Sequence, residues 1–209
     1  MMETQYGLDS TVLNTKNKIG IFGGSFNPPH IGHLIISQYA IEMLQLDLLY
    51  IVPTYIPPHK SNDLAPFELR FKWCKITFSG PHISISDYEK NRQGISYSLY
   101  TVLYFSQLHR TKPYFITGED SLSYIQNWHK YRDLLENCHF VVYPRYCNKP
   151  YEEHTRSVLK ELYDSIIFLQ APLIQISASD IRKRIKERKS IKGMVHPQIE
   201  KQVIEYYSL

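Results

Sequence analysis

No stretch of this 209-residue sequence stays apolar for the roughly 20 residues a membrane-crossing helix needs, which argues against a helical membrane protein. Cysteine is scarce. Cys74, Cys138 and Cys147 are an odd number with no CxxC pair, so a disulfide framework is not expected and a reducing, cytoplasmic setting is. No Cys/His grouping has the spacing of a structural zinc site, and no metal ligand set is read from the sequence. Excess charge is slight, with 24 Lys and Arg against 20 Asp and Glu. That balance suits small anionic ligands, and without a basic block it does not suggest a nucleic-acid track. The densest basic stretch, 182–192, is interrupted by Ile185, Glu187 and Ile191, as in an amphipathic helix with a solvated face. Internal repeats and low-complexity tracts are missing too. The first residues lack an apolar segment of the secretory type. They are polar and aperiodic, so 1–17 is expected to be a flexible tail and 18–209 one domain; a homo-oligomer is compatible with all of this.

What is present is an alternation of strand and helix. Apolar runs at Lys18–Phe22, Leu48–Pro53, Pro113–Gly118, 139–145 and 165–170 read as strands. HISISDYE, from His82, alternates like another. Between them lie helical patterns at Ile31–Leu46 (Leu34, Ile35, Tyr39, Met43, Leu46), Phe67–Phe78, Ser96–His109, Ser121–Trp128, Tyr131–Asn137 and Tyr151–Tyr163. Two more run from Ser177 to about Lys189 and from Pro197 to Tyr207. The Pro-rich piece Pro53–Pro66 must be loop. This order predicts an α/β fold: a doubly wound, Rossmann-like parallel sheet with helices on both faces and a helical C-terminal end.

The first strand runs into Gly23-Gly24 and then GGSFNPPHIGH. Glycines there permit a tight turn and a close approach of backbone amides to a phosphate at a helix N-terminus. The segment is neither GxGxxG nor a P-loop. Its distinctive part is His30-x-Gly32-His33. Residues three apart lie on one face of a helix, so two imidazoles can donate to phosphate oxygens. Gly32 is expected to leave room for a phosphate or base between them. The pair lacks the HExxH spacing of a zinc protease.

GGSFNPPHIGH resembles the G-x-F-(D/N)-P-x-H-x-G-H signature of the HxGH nucleotidyltransferase superfamily, with Asn27 where many members carry Asp. Four further segments are similar to those of the nicotinate-nucleotide adenylyltransferase family. Pro57-Pro58-His59-Lys60 resembles its PPHK loop, whose basic residue reaches phosphates. Gly118-Glu119-Asp120-Ser121-Leu122 with Trp128 resembles its GxDSL…W, where the Asp lies in the cleft and the Trp stacks on the pyridine ring. Ser96-Tyr97-Ser98 resembles its SYT segment, at the helix end that meets the nicotinate carboxylate. Ile176-Ser177-Ala178-Ser179-Asp180-Ile181-Arg182 resembles its IS(S/T)TxIR, although Ser177 with Asp180 is also a capping pattern. Arg145 follows a strand as in the family's strand-then-Arg segment. The likeness covers nearly all of the chain from Lys18.

The resemblance implies transfer of the adenylyl group of ATP to nicotinate mononucleotide, giving deamido-NAD and pyrophosphate, with Mg²⁺ accompanying ATP. His30, His33, Lys60 and Arg182 are the implied catalytic groups. Gly23, Gly24, Ser25, Phe26, Gly118, Asp120, Arg145, Ile176, Ser177 and Ser179 join them around ATP. Asn27, Lys60, Ser96, Tyr97, Ser98, Asp120 and Trp128 are implied around the acceptor. Neither a catalytic triad nor a nucleophilic Cys is expected, because the acceptor phosphate is already an anion. Competing readings are another HxGH adenylyltransferase acting on nicotinamide mononucleotide or phosphopantetheine, and a non-catalytic nucleotide-sensing module.

Overall fold

The computed structural model describes residues 17–58, 64–145 and 152–208. Residues 1–16, which hold nearly all of the expected tail, lie outside the described residues, as do His59 and Lys60. The chain runs β1 (Ile19–Gly24), α1 (Ile31–Leu44), β2 (Leu48–Pro53), α2 (Phe67–Thr77), β3 (Ile83–Ile85), α3 (Tyr88–Arg92), α4 (Ser98–His109) and β4 (Tyr114–Gly118). A 3₁₀ segment (Glu119–Asn127), α5 (Tyr131–Asn137) and β5 (His139–Tyr143) follow. Then come α6 (Glu152–Leu159), a second 3₁₀ segment (Lys160–Ser165), β6 (Ile167–Phe168), α7 (Ala178–Lys186) and α8 (Pro197–Tyr207).

The six strands lie in the order β3-β2-β1-β4-β5-β6, and every described pairing is parallel. The expected doubly wound sheet is therefore present. The chain fills one side of β1 first and then crosses to place β4 on the other. That reversal opens a crevice beyond the carboxyl ends of β1 and β4.

Both sheet faces are buried, which is why the strands read as continuous apolar runs. Ile21, Val52, Phe115, Phe140 and Val142 pack on one side with Val102 and Phe105 of α4 and Leu134 of α5. Their neighbours Phe22, Ile51, Ile116 and Val141 pack on the other with Ile36 and Ala40 of α1 and Cys74 of α2. A third cluster forms around Trp73, Ile181, Ile199 and Val203, where α7 and α8 meet α2.

Several local expectations differ from what is seen. HISISDYE gives only a three-residue edge strand, because its last residues turn into α3. Ser121–Trp128 is 3₁₀ rather than α, with Tyr124 off helical geometry at a kink. The 165–170 run keeps just two paired residues as the outer strand. α4 starts at Ser98, two residues late, because Ser96 is taken up by the neighbouring loop. In α1 the side turned to the sheet is Ile36, Ser37 and Ala40, whereas Tyr39 and Met43 are exposed. No helix among the described residues is long and apolar enough to cross a membrane.

Candidate active site

His30 is the N-cap of α1 and His33 lies in its first turn. The two rings stack with centroids 3.6 Å apart and planes 24° from parallel. Nothing fits between them, so the room expected from Gly32 is not there for a ligand. A Cβ at Gly32 would meet Ile176 Cγ2 at 2.7 Å and His30 Nδ1 at 3.1 Å. Gly32 thus lets Ile176 and the His30 ring close over the helix end. The backbone N–H of His30 donates to His33 Nδ1 at 3.2 Å, which leaves Nε2 of a neutral His33 as its donor. Phe22 and Phe26 meet the His33 ring edge-on.

Burial, with the Arg145 charge second, holds the His30 pKa down to about 3 from the usual 6.5. Burial holds His33 well below 6.5 as well, followed by His30 and Arg145. Both imidazoles are therefore neutral donors at pH 7, and among the described residues the positive charge lining the site comes from the guanidinium groups of Arg145 and Arg182. A stability consequence follows. The unfolded chain protonates these imidazoles near 6.5 and the folded chain does not. The stability that rests on a neutral His30 is complete above pH 6.5 and falls as pH drops toward about 3, by about 1.4 kcal/mol per pH unit, and His33 acts in the same direction. Denaturant titrations between pH 7.5 and pH 4.5 should show His30→Asn losing less stability on acidification than the unmodified chain. Equal losses in the two proteins would contradict a neutral buried His30.

The turn before α1 is held from several directions. Phe26 adopts a left-handed φ of 45°, an unfavourable conformation for a bulky residue, and buries its ring against Phe22 and Phe78. Only its backbone remains for a ligand. Arg70, itself buried, donates from Nη1 to Ser25 O at 2.7 Å and from Nε to Ala65 O at 2.7 Å. Asn27 is buried as well. Its Oδ1 accepts from Ala65 N at 2.9 Å and from the Tyr207 hydroxyl, and its carbonyl accepts from Arg182 Nη1 at 2.8 Å. Asn27 thus ties the turn to α7 and α8, and it lines the same cavity as His30 and His33.

At the end of β4, Gly118 lets Asp120 and Arg145 close in. A Cβ there would lie 2.3 Å from Asp120 Oδ1 and 3.2 Å from Arg145 Cγ. Arg145 Nη1 donates to Ile176 O at 3.2 Å. At the start of α7, Ser177 Oγ accepts from Asp180 N at 3.0 Å and donates to Asp180 Oδ2 at 2.7 Å. Its hydroxyl is spent on the cap, which leaves the neighbouring Ser179, bonded to Arg182 Nη2 at 3.3 Å, as the freer of the two.

Two cavities occupy the crevice. One, about 310 Å³, has His33, Asp120, Arg145, Ser179 and Arg182 in its walls, with Ser25 and Asn27. The other, about 300 Å³, is framed by Gly23, Gly24, Tyr97, Ser98 and Trp128. Pro57 lines both. Trp128 packs against Phe115 and Phe140 with ring planes 88° and 74° apart, so its orientation is set from behind. Ser96 lines this cavity too, yet its Oγ already accepts from Tyr55 N at 3.0 Å and Ile56 N at 3.2 Å.

Residues 21–184 match the cytidylyltransferase-like family model. A protein named "probable nicotinate-nucleotide adenylyltransferase" from Thermotoga maritima is 52% identical over 202 residues, covering 96% of this chain and 98% of that one. The protein of the same name from Fusobacterium nucleatum is 35% identical over 91% of this chain and 98% of its own length. The chain belongs to the nicotinate-nucleotide adenylyltransferase family. Among solved structures, Plasmodium falciparum nicotinic acid mononucleotide adenylyltransferase complexed with NaAD superposes with a TM-score of 0.76. Its identity is 22%, over 92% of this chain and 98% of that one, a likeness of fold.

Within this family frame, the structure gathers His30, His33, Asp120, Arg145, Ser179 and Arg182 on one side and Tyr97, Ser98 and Trp128 on the other. Gly23 and Gly24 border the second cavity. Glu89, Tyr124 and His129, which sequence reasoning missed, also line that second cavity. His129 stacks on Tyr97 at 4.2 Å and meets the Tyr100 hydroxyl at 3.2 Å. Its place next to Trp128 in the chain was the available signal. Glu89 carried none, since a lone Glu in a polar stretch normally reads as solvated.

Proposed function

We propose that this chain transfers the adenylyl group of ATP to the phosphate of nicotinate mononucleotide, forming deamido-NAD and pyrophosphate. The observation that carries this reading is the pair of cavities meeting at Pro57 beyond β1 and β4. One is walled by cations and donors, the other by aromatic rings and a helix N-terminus. ATP fits the first. Neutral His30 and His33 donate to its phosphate oxygens, while Arg145 and Arg182 supply charge. The second suits the acceptor, with Trp128 offering a ring face to the pyridine and the first amides of α4 facing the carboxylate.

An acceptor phosphate oxygen attacks the α-phosphorus of ATP. As that bond forms, the bond from the α-phosphorus to the bridging oxygen breaks, and pyrophosphate leaves with the electron pair. The phosphate is already ionised, so no general base is required. Positioning and neutralisation of charge supply the catalysis. Mg²⁺ is the expected companion of ATP. Asp120 is the carboxylate lining the first cavity among the described residues, and no group of three such ligands is found among them. That donor set suits an ion held mainly by phosphate oxygens and water, with Asp120 as its protein contact. When bound, it neutralises charge on the triphosphate. Buried, unpaired Cys74 and Cys138 support a cytoplasmic setting.

The test is a panel of acceptors with ATP and Mg²⁺. Nicotinate mononucleotide should react fastest and nicotinamide mononucleotide at least about tenfold more slowly, since amides arranged for an anion are poorly matched by a neutral group. Phosphopantetheine should not react. Preference for either of the last two would overturn the choice of acceptor. ATP binding with no pyrophosphate release for any acceptor would overturn catalysis itself.

A further inference from the structure

Glu89, on α3, is only 7% exposed. Burial pushes its pKa up, against the opposing effect of its hydrogen bonds. Its partners come from three separate segments. Oε2 accepts from Tyr55 N at 3.1 Å, Oε1 accepts from Thr101 Oγ1 of α4 at 3.0 Å, and the Ser96 hydroxyl is hydrogen-bonded to the same carboxyl. Ser96 Oγ in turn accepts from Tyr55 N and Ile56 N. With its lone pairs so occupied, the Ser96 proton is directed to Glu89. Just beyond, Ser96 N donates to Ile56 O at 2.8 Å, closing a bridge between the two segments. The segment secured in this way, residues 54–58, carries Pro57, the residue that lines both cavities.

We propose that Glu89 is a positioning residue for the acceptor: through Tyr55, Ser96 and Thr101 it fixes the wall at Pro57 against the N-terminus of α4, and so sets where the acceptor phosphate meets the α-phosphate of ATP. This rests on the functional reading above. Glu89 receives donors on both carboxyl oxygens and needs no contact with substrate to act. A glutamine of the same shape has one acceptor oxygen and an NH₂ group that must face a donor. With its oxygen kept on Tyr55 N–H, its NH₂ faces Thr101, whose hydroxyl must turn from donor to acceptor; both contacts become neutral ones, and the wall is held less firmly to α4. The histidine cavity is held by other contacts, those of Arg70, Asn27 and Arg182, none of which is a hydrogen bond to Glu89.

The experiment is steady-state kinetics of the full chain with each substrate varied in turn, for Glu89→Gln, Thr101→Val and Thr101→Ser. Glu89→Gln should raise KM for nicotinate mononucleotide about tenfold, the scale of one lost charge-assisted hydrogen bond, with KM for ATP within about twofold. Thr101→Val should move the same constant in the same direction by less, and Thr101→Ser, which keeps the oxygen, should recover most of the difference. Equal changes in both KM values, or a lower Tm with both KM values unchanged, would show a merely structural role and overturn the inference. If Glu89→Gln does not fold, the Thr101 pair decides on the same criterion. An unmodified chain inactive toward nicotinate mononucleotide would instead overturn the functional reading.

Discussion

Replacing His33 with alanine should lower kcat/KM for adenylyl transfer by about 10²–10³, the usual cost of removing one donor aimed at developing charge. His33 is expected to outweigh its size because of how it is held. Its Nδ1 is committed to the backbone of His30, its ring is stacked on His30, and Phe22 and Phe26 close in from the side. The remaining Nε2–H has little freedom, so it needs no reorganisation when the α-phosphorus passes through its transition state. The alanine variant also leaves His30 N–H without its acceptor, at about 1–3 kcal/mol of stability. Tm and kinetics must therefore be measured together. A folded variant whose activity stays within a few-fold of the unmodified protein would remove His33 from the catalytic groups.

Arg182→Ala should cost a comparable factor, about 10²–10³, and Arg182→Lys should recover little of it. The guanidinium reaches Asn27 O with Nη1 and Ser179 Oγ with Nη2, spanning the turn after β1 and the start of α7. A lysine supplies the charge at one point and cannot hold both ends. Because His30 and His33 are neutral, the loss of this cation is not compensated from the helix. The defect should show mainly in kcat and in KM for ATP, with KM for the acceptor little changed. Full activity in the lysine variant would mean that charge alone matters and that the two-point clamp does not.

Much of this was legible in the chain. GGSFNPPHIGH predicted the strand, the turn and the helix that carry the paired histidines, because those events depend on neighbours in sequence: glycines at the bend, prolines before the helix, imidazoles one turn apart. Strand and helix alternation predicted the parallel sheet with helices on both faces, while the strand order that opens the crevice beyond β1 and β4 came from the structure. The cap formed by Ser177 and Asp180 was equally readable, since both partners lie within one helical turn. Reading failed where a residue's role depends on a partner far along the chain. Ser96 looked like a helix start, yet its hydroxyl is claimed by Tyr55 and Ile56, some 40 residues earlier. Glu89 gave no signal at all, because its meaning lies in burial.

The opening motif shows the same division. Sequence by itself determined the residue types, their spacing and the local geometry of the turn before α1, since hydrogen bonding and backbone sterics act over a few residues. Only the tertiary structure decided how those residues behave. It stacked His30 on His33, set Ile176 over Gly32, and tied Asn27 to Ala65, Arg182 and Tyr207. Protonation, the direction of each donor and the wall between the two cavities follow from burial and from contacts between distant segments, and those exist only after the sheet has brought the segments together.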